Sequence, residues 1–201
     1  MFPKEKAGMM QNKKIAVTGG IGSGKSVFCA ILRKKGFPVF SCDEIYRNLW
    51  RNQSYQHGLC EVFPECVQAG TMNKKLLAAA VFGDRKKLEA LNAYAHPKIM
   101  QTLLAAMEGE GVFFAEVPLL FEGGFESLFD EVIALRRADD ARLSAVAERD
   151  AVTTEEIAAR MNSQFDPAKL SEKRCIIVEN NGSLADLEKK AEGIIALLNN
   201  I

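Results

Sequence analysis

The 201-residue sequence has no net charge, no C-x-x-C pair and no apolar run long enough to cross a bilayer. Lysine plus arginine and aspartate plus glutamate each number 26, so bulk charge exerts no pull on nucleic acid or on an acidic membrane surface. The five cysteines, Cys29, Cys42, Cys60, Cys66 and Cys175, are odd in number, and their spacing matches neither a zinc site nor a disulfide framework. Cys29, Cys42 and Cys175 lie in apolar runs, where a small buried thiol is the ordinary reading, and the compartment implied is reducing cytosol. Residues 1–12 contain no apolar stretch of the kind a signal peptide needs; they read as a loose tail, with Met9-Met10 hinting at an alternative start. Internal repeats, coiled-coil heptads and low-complexity tracts are also missing. With 48% of residues hydrophobic, the chain suits one compact domain, or a core carrying a small subdomain.

One stretch carries most of the chemistry. Gly19-Gly20-Ile21-Gly22-Ser23-Gly24-Lys25-Ser26 has the form G-x-x-x-x-G-K-[ST], the phosphate-cradling P-loop. Backbone N–H groups can close around a triphosphate only where no Cβ blocks the approach, which is why glycines recur. The loop opens a helix whose free N–H groups and positive dipole end favour an anion. Lys25 supplies a mobile charge for the β- and γ-phosphates, and the Ser26 hydroxyl is placed to ligate Mg²⁺. The structural alternative is a glycine-rich turn. The apolar Ile15-Ala16-Val17 before the loop and the helical pattern after it favour nucleotide binding.

Ile15-Ala16-Val17 reads as a buried parallel strand, with a helix from Lys25 to about Lys35 stopped by Gly36. Residues 37–42 form a second strand ending at Asp43, so strand, helix and strand make a right-handed βαβ unit. From Glu44 to about Glu110 apolar residues recur at helical spacing, interrupted by Gly58, Pro64, Gly70 and Pro97 but by no convincing strand. This is expected to be a helical insertion, residues 44–110, within a core of residues 13–43 and 111–201. Residues 112–117 form strand three, residues 131–135 strand four and residues 175–178 strand five. Between the last two lie two helical stretches, with Thr153 and Glu156 spaced as a capping box for the second. A last amphipathic helix runs from about Leu184 to Leu198.

A P-loop indicates the nucleotide but leaves the reaction open. The N-K-x-D base-recognition motif of GTPases is absent, and the compact plan with an arginine-rich late segment favours a small-molecule kinase. Phosphoryl transfer to a hydroxyl needs a carboxylate near the acceptor. Asp43, just past strand two at the carboxyl edge of the sheet, is the first candidate, with a helix N-cap as its alternative role. Glu116, at the end of strand three, is the rival, reaching Mg²⁺ through water or pairing structurally with a lysine. His96, before Pro97, reads as a helix cap or packed residue more readily than as a catalyst, and His57 carries no signal. Arg149 and Arg160 flank the loop between the two late helices and suit phosphate, unless this arginine set is only a solvated face.

Taken in order, the P-loop, Cys42-Asp43, Gly70-Thr71-Met72-Asn73-Lys74, Val81-Phe82, His96-Pro97, Val117-Pro118-Leu119-Leu120-Phe121-Glu122, Arg149-Asp150, Gln164 and Asn180-Asn181-Gly182 resemble the dephospho-coenzyme A kinase family. The resemblance implies an α/β fold of the P-loop NTPase, nucleoside-monophosphate-kinase-like type: a five-stranded parallel sheet with helices on both faces, a helical substrate-binding insertion, and a lid at about 138–165. It implies ATP-dependent phosphorylation of the ribose 3′-hydroxyl of dephospho-coenzyme A with Mg²⁺, in the cytoplasm. Partners would be the small-molecule substrate, with no nucleic acid or membrane, in a monomer or weak homo-oligomer. Asp43 takes the catalytic position beside Lys25, Gly20, Ile21, Gly22, Ser23, Gly24, Lys25, Ser26 and Val27 hold ATP, and Arg149 falls in the lid. The family's Asp-x-Asp at the end of strand two has Ser41 in its first position here, Lys173-Arg174-Cys175 replaces a usual Ala-Asp pair, and Arg142 and Ala145 replace a usual Gln and Arg. Arg142, one turn before Ala145, is expected to substitute for the missing arginine over the phosphates. Phe63, Phe82, Tyr94 and Ile99 are candidate lining for a pantetheine groove. The alternatives are a kinase of another small hydroxyl substrate, such as a nucleoside, or a homologue that binds ATP without transferring phosphate.

Overall fold

The computed structural model describes residues 12–150, 153–162 and 164–199, with the side chains of Arg149, Asp150, Ala159, Arg160, Asn162 and Asn199 outside that description. The expected tail, up to residue 11, and the side chains of Arg149 and Arg160 therefore lie outside the described residues. The chain divides into two units, one formed by the residues up to Phe40 and from Met107 onward, the other by Ser41–Ala106.

The first unit is built on a five-stranded sheet. Its strands are β1 (Lys13–Thr18), β2 (Val39–Ser41), β5 (Val112–Glu116), β6 (Glu131–Arg136) and β7 (Ile176–Glu179), in the order β2-β5-β1-β6-β7. β1 pairs in parallel with β5 and β6, and β6 in parallel with β7, with Ala16 opposite both Ala115 and Val132. Near-continuous apolar runs such as Ile15-Ala16-Val17 are what a strand covered on both faces requires. Ile15 and Val17 point into a cluster with Phe28, Cys29, Ile31 and Leu32 of α1 (Lys25–Lys34) and Leu187, Ala191 and Ile194 of α8 (Leu184–Asn199). Ala16, Ala115 and Ala134, at the alternate positions, are fully buried as well, so the opposite face is also covered. Between β6 and β7 come α6 (Asp139–Asp150) and α7 (Thr154–Asn162). The capping box forms as expected: Glu156 N donates to Thr153 Oγ1 at 3.3 Å and Thr153 N to Glu156 Oε2 at 3.2 Å.

The second unit holds α2 (Cys42–Leu49), α3 (Gln53–Val62), α4 (Lys74–Val81) and α5 (Arg85–Ala106). Trp50, Tyr55, Leu59, Phe63, Cys66, Met72 and Leu77 form its own apolar cluster. Gly58 lies inside α3 and does not interrupt it, and two further features depart from the sequence expectation. A small antiparallel hairpin, β3 (Val67–Gln68) with β4 (Thr71–Met72), interrupts the helices, turning through Ala69 at φ +50° and Gly70 at φ +76°. Two-residue strands are too short to show alternation, so only the Gly70 break was visible in the sequence. Pro97 does not end its helix but lies inside α5. The proline forgoes one backbone bond at a cost of about 3 kcal/mol. Burial of Ala95 on one side and Ile99, Met100 and Leu103 on the other holds the helix continuous.

Candidate active site

The loop after β1 leaves a rigid platform, since Ile15, Ala16 and Val17 are fully buried and Thr18 almost so. Gly22 sits at φ +75°, and a Cβ there would lie 2.7 Å from the Arg142 carbonyl oxygen and 3.0 Å from Val146 Cγ2. Backbone sign and lack of space together require glycine at that position. Ser23 N donates to Gly20 O at 3.2 Å to tighten the loop, and Asn180 Nδ2 donates to Ser23 O at 2.9 Å. The Ser23 hydroxyl is buried with no hydrogen-bond partner among the described residues. α1 begins at Lys25 with Gly24 as its cap; no side chain caps it and no acid lies in its first turn, which leaves the helix start suited to an external anion.

Lys25 Nζ donates to the carbonyl oxygens of Gly19, at 2.7 Å, and Gly20, at 3.0 Å, so its ammonium lies within the loop. Ser26 Oγ donates to Glu116 Oε1 at 2.7 Å, which brings together the two residues that the sequence suggested for a metal. Among the described residues Glu116 thus pairs with a hydroxyl, not with a lysine. A hydroxyl and a carboxylate oxygen are hard donors of the kind Mg²⁺ accepts, and Mg²⁺ ordinarily completes its shell with water and substrate phosphates. Among the described residues no three His, Cys, Asp or Glu side chains cluster as a metal cage. Val27 stands on the outer side of α1 at 46% exposure. The Cys29 thiol is pushed up to about 12, first by burial and then by the nearby Glu116 carboxylate, so it is a packed thiol and not a nucleophile.

Asp43 is the second residue of α2, and its side chain is exposed. The capping position falls on Ser41 instead, so the cap alternative for Asp43 does not apply; its carboxylate lies in the first helical turn. His96 is likewise no cap: it lies within α5, half-buried, and burial holds its imidazole below the ordinary value. Of the candidate groove residues, Phe63 and Ile99 are core, at 2% and 8% exposure, whereas Phe82 is 89% exposed. Tyr94 is half-buried and donates from its hydroxyl to Tyr55 O at 2.8 Å.

Arg142, on α6, reaches the P-loop: its Nε donates to Ile21 O at 2.9 Å and its Nη1 to Asp139 Oδ1 at 2.9 Å. Arg149 falls in the last turn of the same helix, with its side chain outside the described residues. Three further contacts carry no sequence signal of their role. Gln164 Oε1 accepts from Ile21 N at 2.7 Å, Asn180 holds Ser23 as above, and Glu122 Oε1 accepts from Phe165 N at 2.7 Å. In the sequence they appear only as matching positions of the family resemblance, because a side chain that holds another loop's backbone obeys no local spacing rule. Beside the carboxyl ends of β6 and β7, Arg136, Arg137, Ala138, Asp139, Pro167, Ala168, Glu179 and Asn181 line an open cleft. Arg136 Nε is held by Glu179 Oε1 at 2.6 Å, at one side of it.

The P-loop and the Ser26–Glu116 pair suit a nucleotide-dependent phosphotransferase, and the chain was compared with known proteins on that ground. The family profile described as dephospho-CoA kinase matches residues 13–186. The dephospho-CoA kinase of Thermus thermophilus is 35% identical over 187 residues, 92% of this chain and 91% of its own. That of Fusobacterium nucleatum is 32% identical over 182 residues, 89% and 94% of the two chains. Among solved structures, a Thermus thermophilus protein superposes with TM-score 0.81 at 33% identity, over 94% of this chain and 98% of its own. Dephospho-CoA kinase from Campylobacter jejuni does so with TM-score 0.69 at 27% identity and the same coverage. A shikimate kinase from Acinetobacter baumannii, at 11% identity and TM-score 0.58, shares the fold alone. Profile, relatives and architecture converge on one conclusion: the chain belongs to the dephospho-CoA kinase family.

Proposed function

We propose that the chain transfers the γ-phosphoryl group of ATP to the ribose 3′-hydroxyl of dephospho-coenzyme A, giving coenzyme A and ADP. The observation that carries the reading is the Ser26–Glu116 pair, 2.7 Å apart at the mouth of a P-loop, in a chain of this family. The loop N–H groups and the start of α1 cradle the β- and γ-phosphates, and the Lys25 ammonium faces the phosphoryl group in transfer. Ser26, with Glu116 behind it through water, would hold Mg²⁺, which when bound neutralises charge on the phosphates. Asp43 orients the acceptor hydroxyl and takes its proton as the oxygen–phosphorus bond forms and the bond to the ADP oxygen breaks. The cleft by Arg137, Ala138, Pro167 and Asn181 takes the adenine, with the guanidinium plane offering a stacking surface. Arg149 adds positive charge from the lid. All five cysteines are free, and among the described residues no helix is long and apolar enough to cross a membrane, both of which suit an enzyme of the reducing cytosol.

ADP release coupled to an absorbance readout, with dephospho-coenzyme A set against a panel of nucleosides, tests the assignment. Turnover with dephospho-coenzyme A at least 100-fold above any nucleoside is expected, since a polar acceptor contact can discriminate by that much or more. Equal or greater turnover with a nucleoside would overturn it.

A further inference from the structure

Arg142 is hydrogen-bonded to the backbone of the P-loop. Its side chain is almost wholly enclosed, the residue being only 3% exposed, although it carries a full charge. Asp139, one turn earlier on α6, receives Nη1 and fixes the plane of the guanidinium. Nε then meets the Ile21 carbonyl at 2.9 Å, while on the preceding peptide the Ile21 N–H meets Gln164 Oε1 at 2.7 Å. Two successive peptides at the tip of the P-loop are therefore held from two sides, by α6 and by the segment after α7. Gly20 provides the space, because a Cβ there would strike Arg142 Nη2 and come within 3.3 Å of Gln164 Oε1. The φ of Gly20 is one that L-residues adopt, so at this position space and not backbone sign calls for glycine.

We infer that Arg142 is a positioning residue: it acts through the Ile21 carbonyl, with Gln164 on the facing side, to set the tip of the P-loop for ATP. The inference rests on the proposed reading of the site as a kinase P-loop, and it replaces direct contact with the phosphates by a hydrogen bond to the loop that holds them. What matters is then a donor at the Nε position, more than the charge. Glutamine carries a nitrogen the same number of bonds from Cα as arginine Nε. Lysine places a methylene there and its charge one bond further out, and methionine matches the shape with no donor at all.

Affinity for ATP without any acceptor, followed by titration calorimetry, separates the possibilities. Arg142→Met is expected to weaken ATP binding by about tenfold or more, the scale of a lost hydrogen bond from a charged group. Arg142→Gln should recover most of that loss and Arg142→Lys should not. In turnover, KM for ATP should rise by more than kcat falls, with KM for dephospho-coenzyme A unchanged. Gln164→Leu should weaken ATP binding too, and combined with Arg142→Met should lose less than the product of the two, because both hold one stretch of backbone. The reverse ranking, with Arg142→Lys best and Arg142→Gln as poor as Arg142→Met, would overturn the inference in favour of charge. Unchanged ATP affinity in Gln164→Leu would overturn it as well, and that variant serves if Arg142→Met fails to fold. A wild-type protein that binds ATP but does not phosphorylate dephospho-coenzyme A would refute the proposed reaction, while the ranking of ATP affinities would still decide the role of Arg142.

Discussion

Ser26 and Glu116 are ninety residues apart in the chain, yet their oxygens lie 2.7 Å apart. Each was recognisable from a local rule, Ser26 from its place in the G-K-[ST] sequence and Glu116 from its place at a strand end. Their partnership follows from register, since Val17 of β1 stands opposite Glu116 of β5 while the P-loop leaves the same end of β1. Ser26→Ala removes the proposed metal ligand, so kcat should fall by about 10²-fold and a higher Mg²⁺ concentration should be needed for half-maximal rate. Glu116→Gln keeps an oxygen but loses the charge, and should show the same shift in Mg²⁺ dependence with a smaller loss of rate. Titrating Mg²⁺ at saturating ATP checks both, and an unshifted curve in either would remove that residue from the metal site. Asp43→Asn is a different kind of change. It should lower kcat by about 10²-fold or more and leave ATP affinity unaltered, because the proposed role of the carboxylate is on the acceptor proton. Rates near wild type in that variant would return Asp43 to an exposed residue of α2.

Elements were legible in proportion to their length and to how local their signals are. The start of α7 follows from Thr153 and Glu156 alone, since a capping box is complete within four residues. The β3–β4 hairpin was not, because its strands are two residues each and one of its turn positions is Ala69, which carries no turn signal. Pro97 misled for the opposite reason: the local rule against helical proline is sound, but burial on both sides of it in α5 outweighs the rule. The same burial acts on His96, whose imidazole is held below its ordinary value of 6.5. Below about pH 6.5 the unfolded chain takes up a proton that the folded chain refuses, so stability is intact above that value and is lost as the pH falls toward the folded pKa. In His96→Gln, the melting temperature should decline less steeply than in wild type between about pH 7 and about pH 5.5. Parallel declines would show that His96 titrates alike in both states.

At the scale of the whole molecule, the chain leaves the first unit at Phe40, directly after the βαβ segment, and returns to it at Met107. The sequence suggests a helical insertion over residues 44–110, and the second unit spans Ser41–Ala106 with the β3–β4 hairpin among its helices; which of its apolar side chains are exposed was not legible in the sequence. Phe63 and Ile99 have the same apolar character as Phe82, and only packing distinguishes the buried pair from the exposed ring. If the second unit receives the acceptor, dephospho-coenzyme A should slow hydrogen exchange within residues 41–106, and ATP alone should slow it in the P-loop, α6 and α7. Equal slowing of residues 41–106 by both ligands would contradict a dedicated acceptor unit. The proposed reaction is phosphoryl transfer to one particular oxygen, the ribose 3′-hydroxyl. It is tested most directly by incubating the protein with ATP, Mg²⁺ and dephospho-coenzyme A and locating the new phosphate by phosphorus–proton correlated NMR. A single product with phosphate coupled to the ribose 3′ proton, formed in step with ADP, is the predicted result. ADP released with no phosphorylated acceptor, or phosphate on any other hydroxyl, would contradict it.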